Sequence, residues 1–162
     1  MKITCFSASN VEPARENSAS TRACELIRNL AQAECDAQVT ILPLIDYEIK
    51  PCRMCGECLE AGQCVRDTAF NQIYQHLAEA DAVFVVCPHY APLPSKLMML
   101  LEKLEEICYL NWCQDQGYQT IGHPKRLRLV AHGGQTAQAP PSSKTAFLNP
   151  LALAPCVLTY VI

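Results

Sequence analysis

The chain has 162 residues, of which 50% are hydrophobic and 18% charged, and its formal net charge is −3. This composition is typical of a globular protein, excludes a disordered chain, and predicts a single domain over residues 1–162. Lysine and arginine form no run, so we expect no binding to nucleic acid. No apolar run reaches the roughly 18 residues of a membrane-spanning helix, and we expect no membrane association.

Cysteine is unusually frequent, with eleven residues in the chain. Because this number is odd, the cysteines cannot all pair within one molecule. The N-terminal residues also lack the long apolar run of a secretory signal peptide. We therefore predict a protein of the reducing cytoplasm, in which cysteines serve as ligands, redox groups or small core side chains.

Predicted strands and helices alternate along the chain. Short apolar runs rich in β-forming residues predict strands at 2–6, 39–44, 82–86, 127–131 and 157–162. Apolar residues at helical spacing predict helices at about 21–35, 67–81 and 95–110. The predicted N-caps are Ser18 or Ser20, Asp67 and Ser95. In the third helix, five residues are predicted to face inward: Leu97, Leu100, Leu101, Leu104 and Ile107.

This alternation predicts an α/β fold, a doubly wound five-stranded parallel sheet with strand order 2-1-3-4-5 and a cysteine-rich loop after the second strand. In such a sheet the ligand crevice lies at the carboxyl ends of strands 1 and 3. Three loops are expected to meet there: 7–21, 87–94 and 131–136.

The first of these loops is rich in hydroxyl groups and ends at a helix N-terminus. Its candidate cofactor-binding residues are Ser7, Ser9, Ser18, Ser20 and Thr21. Hydroxyls and free backbone N–H groups at the positive end of a helix suit a phosphate. Neither G-x-x-x-x-G-K-[ST] nor G-x-G-x-x-G occurs, so a phosphomonoester such as that of FMN fits better than a nucleoside triphosphate or a dinucleotide. The alternative is a polar loop with ordinary capping serines.

The second loop is expected to have a rigid backbone, and the third is expected to let a ligand approach its backbone closely. Their candidate cofactor-binding residues are Pro88, His89, Tyr90, Ala91, His132, Gly133 and Gly134. Three prolines in the second loop are expected to exclude regular structure, and Tyr90 could lie against a flat ring. The two glycines permit close approach of a ligand edge, while His89 and His132 could donate to a ring heteroatom. The alternatives are an ordinary proline-rich connection and a simple turn.

Four cysteines lie within thirteen residues of the segment 50–66, in the pattern C-x2-C-x2-C-x5-C. These are Cys52, Cys55, Cys58 and Cys64. Two-residue gaps let successive thiolates converge on one small object, which suits a cubane iron–sulfur cluster. Structural zinc more often uses two knuckles with a longer spacer, and redox-active or inert thiols remain alternatives.

Together these residues resemble the flavodoxin-like NAD(P)H-dependent FMN reductases and, among them, the iron–sulfur flavoproteins. The likeness runs from residue 1 to about 136. It rests on the phosphate loop ending in Ser18-Ala-Ser-Thr21, the cysteine motif, Val86-Cys-Pro-His-Tyr90, Ser95-Lys-Leu97 and Gly133-Gly134. One departure is that Asn10 and Val11 follow Ser9, where the family commonly has Ser-Pro-Arg.

The resemblance implies FMN bound by the three loops, NAD(P)H as a possible electron donor, and a 4Fe–4S cluster on the four cysteines. It also implies a homodimer or homotetramer in which a cluster lies near the flavin of a neighbouring subunit. We therefore predict an FMN-binding oxidoreductase that passes electrons from a small-molecule or protein donor to an acceptor.

Two other functions stay open at this point. One is an FMN-only reductase of quinones or flavins with free cysteines. The other is a non-catalytic flavodoxin-like binding module that holds structural zinc. No side chain is singled out as catalytic.

Overall fold

The computed structural model describes residues 1–12, 17–88, 93–115 and 126–132, and the backbone of 157–161. Strands and helices alternate as predicted. The strands are β1 (Lys2–Ser7), β2 (Gln38–Pro43), β3 (Ala82–Pro88), β4 (Arg126–His132) and β5 (Val157–Val161). The helices are α1 (Ala19–Cys35), α2 (Cys58–Ala61), α3 (Thr68–Glu79) and α4 (Ser95–Gln114), with a short 3-10 helix at Leu44–Asp46.

The strands form one sheet in the order β2-β1-β3-β4-β5. Strand β1 pairs in parallel with β2 and β3, and β3 pairs in parallel with β4. The predicted order 2-1-3-4 of the parallel strands is therefore confirmed. The prediction of an entirely parallel sheet is wrong, because β5 runs antiparallel to β4.

The sequence between β4 and β5 offers a physical reason for this reversal. A parallel fifth strand needs a crossover connection, which is usually a helix. The connecting segment contains Pro140, Pro141, Pro150 and Pro155. Prolines at this density leave little uninterrupted sequence for a crossover helix.

Helices α1 and α3 begin at side-chain caps that the sequence predicts. Of the two candidates for α1, Ser18 is the cap, and its Oγ accepts a hydrogen bond from the Thr21 N–H at 3.1 Å. Asp67 caps α3 by accepting from the Phe70 N–H at 3.0 Å. These caps satisfy backbone donors that a helix start would otherwise leave without partners.

Helix α4 begins differently from the prediction. Pro94 precedes it without a side-chain cap, and Ser95 is its first helical residue rather than its cap. The Ser95 hydroxyl instead accepts a hydrogen bond from Asn10 Nδ2 at 3.1 Å. The helix also continues to Gln114, beyond its predicted end.

The buried face of α4 also differs from the predicted one. Leu97, Leu100 and Ile107 are buried as expected, but Leu101 is 42% exposed. Leu101 lies about 100° around the helix from Leu100, on its outer side. The inward position between Leu100 and Ile107 is taken by Lys103, which is 4% exposed. A buried lysine is not evident from an apolar pattern.

The core lies on both sides of the sheet. Phe6, Phe70 and Leu100 belong to the larger cluster, on the face covered by α3 and α4. Cys5 and Cys24 belong to the smaller cluster, beneath α1. The fold is thus doubly wound, with helices on both faces. Among the helices of the described ranges, none is long and apolar enough to cross a membrane.

Candidate functional site

The carboxyl ends of β1, β3 and β4 lie side by side, which aligns the starts of the three unusual loops. In the sheet register Ser7 lies opposite Val86, and Pro88 lies opposite His132. The Ala8 N–H continues this pairing by donating to the Val86 carbonyl at 2.9 Å. Topology therefore brings residues distant in sequence to one edge of the sheet.

A cluster of buried hydroxyls lies where the first loop leads into α1. The Thr21 hydroxyl lies 2.9 Å from the Ser7 hydroxyl and 2.9 Å from the Ser18 hydroxyl. All three residues are buried. We call Ser7, Ser18, Ser20 and Thr21 the hydroxyl cluster.

The fourth hydroxyl of this cluster connects α1 to β4. Ser20 Oγ lies 2.8 Å from His132 Nε2, although the two residues are 112 positions apart. Ser20 is fully buried, and burial lowers the pKa of the His132 imidazole below its ordinary value. The sequence places both residues in crevice loops, but nothing in it indicates that they pair.

Ser9 and Asn10 anchor the next part of the loop. Ser9 Oγ accepts a hydrogen bond from the Val11 N–H at 3.3 Å. The Asn10 amide, through its bond to Ser95, ties the loop to the start of α4. Neither Asn10 nor Ser95 is among the predicted cofactor-binding residues. Their contact is long-range, and the only available signal was that both belong to polar segments beside the crevice.

The remaining predicted crevice residues divide into two groups. Pro88 was expected to lie outside regular structure, but it is the final residue of β3. At the end of a strand the missing N–H of proline costs little, because the ladder does not continue. The other residues lie outside the described part of the chain: His89, Tyr90, Ala91, Gly133 and Gly134.

The described residues at this edge fit a phosphate group. Helix α1 has 17 residues, and its first turn contains no acidic side chain. The first-turn N–H groups of a helix lack intrahelical acceptors, and the helix dipole favours an anion there. With the hydroxyl cluster alongside, this N-terminus provides donors and a positive potential without a metal ion.

The second candidate site is the cysteine segment between β2 and α3. Cys52, Cys55, Cys58 and Cys64 line one cavity of about 410 Å³. The backbone turns sharply here, since Met54 (φ 49°) and Gly56 (φ 73°) both adopt the left-handed conformation. These turns accompany the placement of the four cysteines around the same cavity.

Hydrogen bonds hold two of these cysteines in place. The Asn71 side chain forms two hydrogen bonds with the Cys64 backbone. Its Oδ1 accepts from the Cys64 N–H at 3.0 Å, and its Nδ2 donates to the Cys64 carbonyl at 2.7 Å. At the other end, the Met54 N–H donates to the Cys52 sulfur at 3.4 Å. Donors directed at sulfur are typical of thiolate sites, where they stabilise negative charge.

Positively charged side chains surround the cavity. Lys50, Arg53, Arg66 and Lys103 contribute to its lining and outnumber the lining carboxylate of Glu106. Arg66 also forms an ion pair with Glu57 and a hydrogen bond with Cys55, and both raise the pKa of its guanidinium. This positive lining complements a group that gathers several thiolates, because each thiolate carries a negative charge.

The thiols line the cavity without converging on a point. In the described ranges, no three His, Cys, Asp or Glu side chains come close enough to hold one metal ion. Burial, followed by the charges of Glu106, Cys52 and Cys55, raises the pKa of the Cys58 thiol. Four soft sulfur donors around a cavity suit a sulfur-liganded group larger than a single ion.

The chain matches known proteins at the level of family and fold. Residues 1–108 of the 162 match the family "NADPH-dependent FMN reductase". One relative is an iron–sulfur flavoprotein of Methanosarcina thermophila, 33% identical over 57 residues, which are 35% of this chain and 30% of that protein. A second iron–sulfur flavoprotein, from Archaeoglobus fulgidus, is 36% identical over 53 residues, or 33% of this chain and 26% of that protein. The matched segments thus span less than a third of either relative.

A solved structure shares the fold. It is a candidate quinone reductase from Klebsiella pneumoniae, with a TM-score of 0.56 and 18% identity. The alignment covers 83% of this chain and 60% of that one. At this identity the similarity concerns the fold alone.

Proposed function

Since the chain belongs to the NADPH-dependent FMN reductase family, we propose that it is an FMN-binding oxidoreductase that passes electrons from a reduced donor to an acceptor. The observation that carries this proposal is the buried hydroxyl cluster at the N-terminus of α1, located where three crevice loops begin. Buried hydroxyls that face one another at a helix start form a ready set of donors for a phosphate.

When bound, FMN would supply the hydride and electron chemistry of the reaction. The protein's part is to hold and orient the cofactor. The hydroxyl cluster would hold the phosphate, together with Ser9. Six residues of the other two loops would then border the ring: Pro88, His89, Tyr90, Ala91, Gly133 and Gly134. The contact between His132 and Ser20 would keep the third loop near the phosphate end.

We further propose that Cys52, Cys55, Cys58 and Cys64 hold a 4Fe–4S cluster. Three observations support this assignment: the shared cavity, its positively charged lining, and the two partial relatives that are both iron–sulfur flavoproteins. The cluster would extend the path of single electrons beyond the flavin crevice.

The donor and the assembly are also part of the proposal. We propose NAD(P)H as a possible donor, for which the family's name supports NADPH, and a small molecule or another protein as donor or acceptor. We propose a cytoplasmic homodimer or homotetramer. Support comes from the outer side of α4, where Met98, Leu101, Tyr109 and Trp112 are between 42% and 60% exposed. A neighbouring subunit would cover such side chains.

A second candidate function is also compatible with the structure. All ten cysteines in the described part of the chain are free thiols. A reductase with FMN alone, acting on quinones or flavins, would need no cluster and is compatible with these thiols. The zinc-holding module is less well supported. The sulfur ligands of one zinc ion lie within about 4.6 Å of one another, twice the Zn–S distance. In the described ranges no three His, Cys, Asp or Glu side chains are close enough to hold one metal ion.

Composition after anaerobic purification tests these alternatives. The proposed function predicts about one FMN per chain, with iron and acid-labile sulfide near four each. Flavin without iron would support the FMN-only reductase instead. Protein with zinc and no flavin would contradict both oxidoreductase functions. Oxidation of NADPH by the purified protein with a quinone acceptor then measures the activity itself.

Substitution of one motif cysteine tests the ligand assignment. We expect Cys55→Ser to lose most of the iron and to keep FMN, because Cys55 lines the cysteine cavity while the hydroxyl cluster lies at the carboxyl ends of β1 and β4. The measurements are iron and flavin content per chain. Cys35→Ser is the matched control, since Cys35 is exposed at the end of α1. Unchanged iron in Cys55→Ser would contradict the assignment.

A further inference from the structure

Lys103 is a buried cation beside the cysteine cavity. It lies on the inward side of α4 and is 4% exposed. Its ammonium has three neighbours: Asp67 Oδ2 at 3.4 Å, Cys64 Sγ at 3.5 Å, and the Phe70 ring, whose centroid lies 5.5 Å away. A lysine ammonium has three donors and no acceptor, so it suits a carboxylate and a sulfur at once.

The carboxylate that pairs with Lys103 is itself fixed. Asp67 accepts hydrogen bonds from the Phe70 N–H at 3.0 Å and from the Lys50 N–H at 2.8 Å. Its side chain is 1% exposed. Because both partners are desolvated and Asp67 cannot rotate freely, the pair is a fixed dipole whose positive end contacts Cys64.

Stability alone does not account for this pair. Removing two charges from water carries a desolvation cost that their attraction often fails to exceed, and apolar replacements of buried ion pairs are often neutral or stabilising. The sulfur contact offers a different reason for a buried cation here. Cys64 is held by Asn71 through its own backbone, so its sulfur stays in reach of the ammonium.

We propose that Lys103 is a positioning residue for the iron–sulfur cluster, donating a charge-assisted hydrogen bond to the Cys64 thiolate and stabilising the reduced cluster. This inference rests on the proposed cluster function. The step concerned is the addition of one electron, from the reduced donor, to the cluster. No bond to Lys103 forms or breaks, and its positive charge stabilises the additional negative charge.

The other cations of the cavity are less suited to this role. Lys50, Arg53 and Arg66 are exposed, whereas Lys103 is buried. Water and salt screen exposed charges strongly and buried charges much less. The potential of the cluster should therefore respond to Lys103 more than to any of these three.

The test compares variants by the midpoint potential of the cluster, in an anaerobic redox titration followed by electron paramagnetic resonance. Asp67→Asn combined with Lys103→Met removes the whole dipole, and the asparagine keeps an N-cap on α3. We expect the equilibrium between reduced and oxidised cluster to shift about tenfold toward the oxidised form, which lowers the potential by about 59 mV for a one-electron couple. Lys103→Arg should stay close to the wild type.

Lys50→Met is the control, because it removes a lysine ammonium, as Lys103→Met does, but from an exposed position of the same cavity. Its potential should stay near that of the wild type. An iron-loaded double variant with an unchanged potential would overturn the inference, as would equal shifts in the double variant and the control. If the double variant fails to fold, Lys103→Gln takes its place under the same criterion.

Iron content separates this inference from the function on which it rests. Wild-type protein without iron would contradict the cluster itself, and the role of Lys103 with it. If the wild type and the double variant both contain iron and have the same midpoint potential, only the role of Lys103 is contradicted. If the double variant folds without iron, the Lys103→Arg variant is measured instead. Lys103→Arg protein that contains iron with a near-wild-type midpoint potential supports the role of Lys103. Lys103→Arg protein without iron overturns it.

Discussion

At the scale of single residues, the environment of His132 connects the fold to a pH dependence. Its Nε2 lies 2.8 Å from the buried Ser20 hydroxyl, and burial lowers the pKa of the imidazole. The folded protein therefore favours the neutral ring over the protonated ring more than the unfolded chain does. Protonation would place a charge in a partly buried position between α1 and β4.

The sign of the pH effect follows from this pKa. In the unfolded chain His132 regains an ordinary pKa near 6.5, so below that pH the unfolded state binds more protons than the folded state. The stabilisation is complete above pH 6.5 or so and is lost as the pH falls toward the lowered pKa. We expect the free energy of unfolding to drop between about pH 7.5 and pH 5.5, and to drop less in His132→Gln.

Denaturant unfolding monitored by circular dichroism at the two pH values measures this difference. His76→Gln controls for the loss of a histidine as such, because His76 is exposed on α3. An equal drop in His132→Gln and in the wild type would contradict the described environment of His132.

Cys87 illustrates how a residue's position limits its chemistry. Its place in the sequence, at the start of the crevice loop 87–94, is compatible with a redox group. The structure buries it in β3, where desolvation raises the pKa of its thiol to about 11. A thiol that stays protonated near neutral pH is a poor nucleophile, so Cys87 does not suit thiolate chemistry.

At the scale of elements, the start of α3 depends on one carboxylate with two functions. Asp67 caps the helix and neutralises Lys103. We expect Asp67→Ala to lower the free energy of unfolding by about 3–5 kcal/mol, because it leaves a buried charge unpaired. Asp67→Asn should cost less, since asparagine is also an effective N-cap.

The measurement is denaturant unfolding of these variants, each compared with Glu79→Gln. Glu79 forms an ion pair with Lys2 at 3.0 Å, but both side chains are more than half exposed. Solvent screens such a pair, so its loss should have little effect on stability. Comparable destabilisation by Asp67→Ala and Glu79→Gln would contradict the distinction between the two pairs.

The helices and strands also show which features of the fold apolar sequence patterns predict and which they do not. Apolar periodicity predicts α1, α3 and the four parallel strands, because burying one face dictates both the period and the element type. Apolar periodicity fails at Leu101, which is exposed, and at Lys103, which is buried. A lysine can occupy an inward position of a helix when distant segments supply a carboxylate and a sulfur to its ammonium. The start of α4 was mispredicted for a similar reason, because Ser95 finds its partner in Asn10.

At the scale of the whole molecule, the strand order accounts for what could be predicted about the site. Once strands 1, 3 and 4 are neighbours in parallel, the loops that follow them must begin at one edge. Ser7, Ser18 and Thr21 belong to the first of these loops, and the Thr21 hydroxyl lies within hydrogen-bonding distance of the other two hydroxyls. The pair Ser20 and His132 could not be predicted, because a side-chain contact across 112 residues depends on register and rotamers. The direction of β5 was missed because strand patterns carry no polarity.

The strand order also bears on electron transfer. The cysteine segment follows β2, which lies beside β1 on the side away from β3. The proposed flavin crevice lies at the carboxyl ends of β1 and β3. The two proposed cofactors therefore occupy different parts of the carboxyl edge of one chain. A neighbouring subunit in the proposed oligomer would offer a shorter path between a cluster and a flavin.

The proposed function depends most on a phosphate held by the hydroxyl cluster at the start of α1. Calorimetric titration of flavin-free protein with FMN and with riboflavin, which lacks the phosphate, measures this most directly. We predict that FMN binds at least about tenfold more tightly, since a phosphate gains charge-assisted hydrogen bonds that a neutral hydroxyl cannot form. Equal affinities for the two flavins, or no binding of FMN, would contradict the account.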